Sequence, residues 1–161
     1  MISYIRETRG QEPLTGVEIG VAQAHHARSI LETLNMTMLF LVDPYIPYIE
    51  GNRHIDYGEL EEEAHQYLEA FTARTTWLRG SSTDPAILAQ IPIVDFVYID
   101  GKHTYEQVKA DILAYLPKIR KGGLLGGHDY YHEYPSVLRA VNELIPSERL
   151  QHATYDWFTK C

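Results

Sequence analysis

The strongest constraint on this chain is an alternation that repeats along most of its length. Short apolar runs ending in Gly, Asp or His are separated by stretches with helical spacing of apolar residues. Strands that are apolar on both faces need cover on both faces. The pattern therefore predicts a parallel sheet between two layers of helices. Strands are read at residues 16–21 (GVEIGV), 38–42 (MLFLV), 75–79 (TTWLR), 94–99 (VDFVYI) and 124–127 (LLGG). Helices are read at 23–34, at 58–73, after Asp84-Pro85, at 105–121 up to Gly122-Gly123, and from Pro135. Asp before Pro is the expected start of a helix, because the carboxylate caps free N–H groups and proline tolerates the first position. The tail, 150–160, reads as two final strands turning near Tyr155-Asp156.

Two segments break the pattern. Residues 1–15 are polar and read as an N-terminal arm or short lead-in helix, leaving 16–161 as one domain. Residues 45–57 are irregular and carry Pro47, Gly51, Tyr45, Tyr48, His54 and Tyr57; a loop this long in a compact domain is often a functional lid. Trp77 and Trp157 read as core or sheet residues. At 161 residues the chain is long enough to bury a core without staples. Its net charge of −8 argues against a broad nucleic-acid footprint, which needs a basic face. The single Cys161 excludes an internal disulfide and, at a terminus, is a poor nucleophile. No signal-like apolar start and no apolar run of about 20 residues is present, so the expectation is a cytoplasmic protein with no membrane span.

In an open parallel sheet, ligands bind beyond the carboxyl ends of the strands. The polar residues gather there: Glu18 and Gly20, Asp43, Gly80-Ser81-Ser82, Asp100 and His103, then His128-Asp129. Each has an ordinary explanation as a turn acid, a cap or a satisfied histidine; their convergence is the signal. Asp43 follows the second strand, where a carboxylate commonly accepts from ribose hydroxyls, although Asp before Pro is also a common turn. Asp100, His128 and Asp129 suit a divalent ion with open positions. The pair His25-His26 reads as surface or helix-start, since adjacent helical residues diverge. The run Tyr130-Tyr131-His132-Glu133-Tyr134 packs rings or walls an acceptor pocket. After Gly20 come Val21-Ala22-Gln23-Ala24, so the glycine-rich dinucleotide turn is absent, as are a nucleophile elbow and a P-loop.

The stretches GVEIGVAQAHHARSIL, LFLVDPY, GSSTD and VDFVYIDGKHTYEQVKADILAYLPKIRKGGLLGGHDYY, with PSVLRAVNEL, resemble class I S-adenosylmethionine-dependent methyltransferases. Within that class the chain is most similar to small-molecule O-methyltransferases of the macrocin and mycinamicin sugar-methylating group. The resemblance implies a Rossmann-like three-layer sandwich, with a seven-stranded mostly parallel sheet in the order 3-2-1-4-5-7-6 and the last strand reversed. It implies S-adenosylmethionine as cofactor, with Glu18 and Gly20 near its methionine part, Asp43 at the ribose, Ser82 near the adenine or its ribose, and Asp100 also among the cofactor-binding residues. It places magnesium or another divalent ion at Asp100, His128 and Asp129, and makes His103 the base, with Asp100 beside it at the reaction. His128 stands where the metal-dependent relatives carry Asp or Glu. The site would then prefer manganese or zinc, or be metal-free with His128 on the substrate.

The expected activity is O-methylation of a hydroxylated small molecule, a sugar or natural product. A positioned base, with or without an ion, would make an alcohol nucleophilic near neutral pH. The chain lacks an added substrate domain, so the acceptor pocket would come from residues 44–57 and 130–135 or from a partner in a homodimer. The rivals are a non-catalytic binding module of the same fold, a nicotinamide dehydrogenase, disfavoured by the missing glycines, and a nucleic-acid methyltransferase, disfavoured by charge and by the absence of an N-P-P-Y motif.

Overall fold

A computed structural model describes residues 1–50, 53–55 and 59–161. Its strands are β1 (Leu14–Ile19), β2 (Met36–Asp43), β3 (Tyr48–Glu50), β4 (Arg53–Ile55), β5 (Thr75–Arg79), β6 (Val94–Ile99), β7 (Ile119–Gly127), β8 (Gln151–Ala153) and β9 (Asp156–Lys160). Its helices are α1 (Ile2–Arg9), α2 (His25–Thr33), α3 (Leu60–Tyr67), α4 (Pro85–Leu88), α5 (Tyr105–Tyr115) and α6 (Pro135–Leu144). Seven strands form one sheet in the order β5-β2-β1-β6-β7-β9-β8, while β3 and β4 pair separately as an antiparallel hairpin. Numbering only the seven sheet strands, the order is 3-2-1-4-5-7-6. The first five run parallel, and β9 runs antiparallel to both of its neighbours. This is the expected Rossmann-like architecture.

Because side chains alternate across a strand, each central strand feeds two cores. On β6, Phe96 and Tyr98 enter one apolar cluster and Val97 and Ile99 the other. The first cluster is covered by α1 and α2, through Met1, Ile5, Ala27, Ile30 and Leu31. The second is covered by α4, α5 and α6, through Ile87, Val108, Ile112, Val137 and Val141. Trp157 on β9 is buried in the second and Trp77 on β5 packs against the first. No described helix is long and apolar enough to cross a membrane.

Several boundaries differ from the sequence reading. The helix expected over 105–121 stops at Tyr115, followed by one 3₁₀ turn at Leu116–Lys118. Pro117 has no N–H and would clash with the turn before it, so the α-helix ends there and β7 starts at Ile119 rather than at Leu124. Tyr115 is consequently buried, whereas Leu116, expected inside, is exposed. The helix expected over 58–73 is α3 plus a 3₁₀ helix at Glu69–Arg74. The irregular segment 45–57 contains the β3-β4 hairpin; Gly51, Asn52, Asp56, Tyr57 and Gly58, part of the expected lid and helix start, lie outside the described residues. Asp84 caps α4 as expected, its Oδ1 accepting from the Ala86 N–H at 2.8 Å, with Pro85 in the first turn.

Candidate active site

The site is built where β1 ends. Backbone hydrogen bonds from Gly20 to Val42 (2.9 Å) and from Asp100 to Ile19 (2.7 Å) stitch that end to β2 and β6. Gly20 has φ +82°, and a Cβ there would collide with the Asp100 carbonyl, so only glycine fits. The next turn keeps a left-handed backbone without glycine: Ala22 has φ 46° and Ala24 φ 61°. The buried Asp43 carboxylate supplies the compensation. Its Oδ2 accepts from the N–H groups of Val21 (2.8 Å) and Ala22 (3.1 Å), and its Oδ1 from Tyr45 N–H (2.8 Å). A carboxylate offers about four acceptor directions, so one remains, on Oδ1.

Glu18 lies at 1% exposure on β1. Its Oε1 lies 2.8 Å from Nδ1 of His26, the second residue of α2. His26 stacks on Tyr98 at 3.9 Å, and the Tyr98 hydroxyl donates to Asp156 Oδ1 at 2.8 Å. The other Glu18 oxygen, Oε2, is buried with no hydrogen-bond partner among the described residues. Burial pushes the Glu18 carboxyl above its ordinary range, and His26 pulls it only part of the way back. A buried acceptor in this state fits a ligand that brings an ammonium or hydroxyl donor. His26, read from sequence as a surface or helix-start residue, is thus tied to the site's acid. The spacing from β1 over a turn to α2 gives no periodic signal of that pairing.

At the ends of β6 and β7, Asp129 joins two imidazoles. Its Oδ2 lies 2.7 Å from His103 Nε2 and its Oδ1 3.1 Å from His128 Nδ1. His103 Nε2 also lies 3.6 Å from Asp100 Oδ1. Burial alone would raise the Asp129 carboxyl, but the two histidines outweigh it and hold it well below the ordinary carboxylate range. The hydrogen bond to Asp129 raises His128 above its ordinary 6.5, against the opposing effect of burial. Asp129 itself has φ 59°, a left-handed conformation uncommon outside glycine. Ligand atoms of Asp100, His103 and Asp129 all lie within 4.8 Å of one another, a set of two carboxylates and an imidazole. Of the sequence-named trio Asp100, His128 and Asp129, the structure brings the two acids together with His103. His128 meets Asp129 on its other oxygen. Aromatic rings border this cluster: Tyr134 at 4.8 Å from His103, Tyr155 at 6.0 Å from His128, and Tyr131 between them at 5.3 and 4.6 Å.

Beside it lies a cavity of about 270 Å³, whose lining includes Gly20, Asp43, Ser82, Lys102, Gln107 and Asp111. Ser82, named from sequence, donates its hydroxyl to Asp111 Oδ1 at 2.5 Å. Gln107 Nε2 donates to the same Oδ1 at 3.0 Å and to Ser82 Oγ at 3.1 Å, and the Tyr115 hydroxyl donates to the Ser82 carbonyl at 3.0 Å. Sequence reasoning passed over Asp111 and Gln107. The signal available was that Asp111 lies beside Val108, Ile112 and Tyr115 on the buried side of α5, an unusual place for an acid.

Residues 16–130 match the sequence pattern described as a methyltransferase domain. Protein R132 of Acanthamoeba polyphaga mimivirus, itself uncharacterized, is 27% identical over 154 residues; the match covers 90% of this chain and 65% of that protein. The chain therefore spans a little under two thirds of this relative. Among solved structures, the calicheamicin methyltransferase CalS11 superposes with a TM-score of 0.77 at 14% identity, over 99% of this chain and 76% of that one. The O-methyltransferase NovP gives 0.69 at 18%, over 99% and 78%. MycE methyltransferase of the mycinamycin pathway, solved with Mg, SAH and mycinamycin VI, gives 0.62 at 17%, over 98% and 47%. At these identities the superpositions establish the fold.

Proposed function

The chain belongs to the methyltransferase-domain family, and from that membership we propose that it transfers a methyl group from S-adenosylmethionine to a hydroxyl of a small molecule, with His103 as the base. The observation that carries the reading is the His103–Asp129 contact of 2.7 Å at the strand ends, next to the cavity that Gly20, Asp43 and Ser82 line. The residues fit the cofactor. Glu18 Oε2 is a buried acceptor in need of a donor, suited to the ammonium of the methionine part, and Asp43 keeps one acceptor direction for a ribose hydroxyl. S-adenosylmethionine, when bound, supplies an electrophilic methyl group.

The chain's own residues do the rest. Asp129, held as a carboxylate, orients His103 and stabilises it when protonated. His103 takes the proton of the acceptor hydroxyl, whose oxygen becomes the nucleophile. Asp100, 3.6 Å from His103 Nε2, adds negative potential that favours this proton transfer. Tyr131, Tyr134 and Tyr155 offer ring faces and edges for packing a sugar or another cyclic acceptor.

A second reading is favoured by the convergence of Asp100, His103 and Asp129. This donor set fits a divalent ion, which would bind the acceptor oxygen and lower its pKa. His103 Nε2, which faces both acids, is the nitrogen that would hold the ion; in the base reading Nε2 instead carries the proton shared with Asp129 and Nδ1 takes the proton of the acceptor, so dependence on a metal separates the two readings. Calorimetric titration with S-adenosylhomocysteine is expected to show one site per chain. Repeating it and the methylation assay in EDTA and in magnesium or manganese distinguishes the base reading, unaffected by chelation, from the metal reading. Absence of S-adenosylhomocysteine binding in every condition would leave a non-catalytic module of this fold.

A further inference from the structure

The two adjacent histidines at the start of α2 diverge, as neighbouring helical residues do. His25 meets the edge of Tyr67 at 5.0 Å, while His26 turns inward to Glu18. The proton transfer at His103 makes no use of His26, yet its ring is held firmly. It stacks on the buried Tyr98 at 3.9 Å with 25° between the planes. Tyr98 is fixed in turn by its hydroxyl, which donates to Asp156 Oδ1 at 2.8 Å. This support leaves His26 Nδ1 aimed at Glu18 Oε1, 2.8 Å away. The helix itself does not call for a histidine here, because its N-terminal end disfavours a cation. A neutral imidazole donating from Nδ1 avoids that cost, and it is all that the contact with Glu18 needs.

Glu18 depends on such a donor. Burial, Asp100 and Asp43 all push its carboxyl toward the neutral acid, and His26 opposes them. A neutral acid is a weaker partner for a cationic group than a carboxylate is. Oε1 is spent on His26, so the oxygen left for a ligand is Oε2, buried and with no hydrogen-bond partner among the described residues. Resting on the cofactor reading above, in which Glu18 meets the ammonium of the methionine part, we propose that His26 is the positioning residue of that contact. It acts through Glu18 and not on the ligand. Its hydrogen bond to Oε1 holds Glu18 as an anion and reserves Oε2 for the ammonium, and Tyr98 is the platform that keeps the imidazole in place. The charge selectivity of this end of the site is then set by a residue one layer behind it.

The test is calorimetric binding of S-adenosylhomocysteine and of its analogue with hydrogen in place of the amino group. The native protein is expected to prefer the amino compound by about tenfold or more. His26→Phe keeps a ring on Tyr98 and removes the donor. It is expected to narrow the preference to within about threefold, by weakening S-adenosylhomocysteine while leaving the deaminated analogue nearly unchanged. His26→Asn, whose amide can donate from nearly the place of Nδ1, is expected to keep most of the preference. His26→Ala removes the donor with less bulk and carries the test if His26→Phe does not fold. An unchanged preference in His26→Phe or His26→Ala, or an equal loss for both ligands, would overturn the role of His26 and leave the cofactor reading standing. A native preference near one would refute the ammonium contact at Glu18, and this inference with it. Failure of the native protein to bind S-adenosylhomocysteine would refute the cofactor reading itself.

Discussion

Replacing Asp111 by Asn should change how stability depends on pH, in a direction and by an amount fixed by its surroundings. Burial raises the Asp111 carboxyl from 3.8 to about 6, with the Ser82 and Gln107 hydrogen bonds opposing it. The folded chain therefore holds this proton more tightly than the unfolded chain. Between pH 4 and 6 the folded state binds more protons, so the contribution of Asp111 is most favourable below 4 and is lost as pH rises to about 6. A shift of roughly two units at about 1.4 kcal/mol each amounts to about 3 kcal/mol. Asn does not titrate. The difference in unfolding free energy, variant minus native, should thus rise by about 2.5 kcal/mol from pH 4 to pH 7, most of the full amount. Urea unfolding of both proteins at unit intervals of pH measures this, and titrations shared by the two, such as that of Asp129, cancel. Parallel curves across the window would refute the argument, because they would mean that Asp111 has the same affinity for its proton folded and unfolded.

Other perturbations give further checks. His103→Ala should lower turnover by roughly 10²–10⁴-fold in a methylation assay while leaving S-adenosylhomocysteine affinity nearly unchanged; unchanged turnover would remove His103 from the reaction. Ala22→Gly relieves a left-handed alanine, a gain of about 1–2 kcal/mol, against about 0.4–1 kcal/mol of extra unfolded-chain entropy. The net expectation is a small stabilisation in urea unfolding, and a clear loss would contradict the turn geometry. His128 should titrate by NMR with a midpoint above 6.5. Its contribution to stability is complete below 6.5 and lost as pH rises through the folded value, so His128→Ala should flatten the native curve on that alkaline side.

How legible the molecule was depends on the range of the interactions involved. Strands β5 and β6 were readable to the residue, because an apolar run closed by Arg79-Gly80 or Asp100-Gly101 carries its own ends. The α5 terminus was not, because the reading followed the apolar stripe through Leu116 and Ile119 and passed over Pro117. The strand-end acids and histidines were visible because a parallel sheet collects its carboxyl ends on one edge. Which histidine joins Asp100 and Asp129 was not, since it turns on side-chain directions in the loops after β6 and β7, and the left-handed backbone at Asp129 departs from strand alternation. His26 on Glu18 and Ser82 on Asp111 join residues 8 and 29 apart through packing, and no local pattern encodes such partners.

The clamp of Asp43 on Val21, Ala22 and Tyr45 moves the specification of the turn after β1 from one kind of chemistry to another. Glycines specify such a bend by what they lack; here an anion beneath the bend draws the amides into it, and alanines follow. The same carboxylate that would receive the ribose is the keystone of the loop that would cover the cofactor. Replacing Asp43 would therefore remove recognition and architecture together, and no single substitution there would separate them.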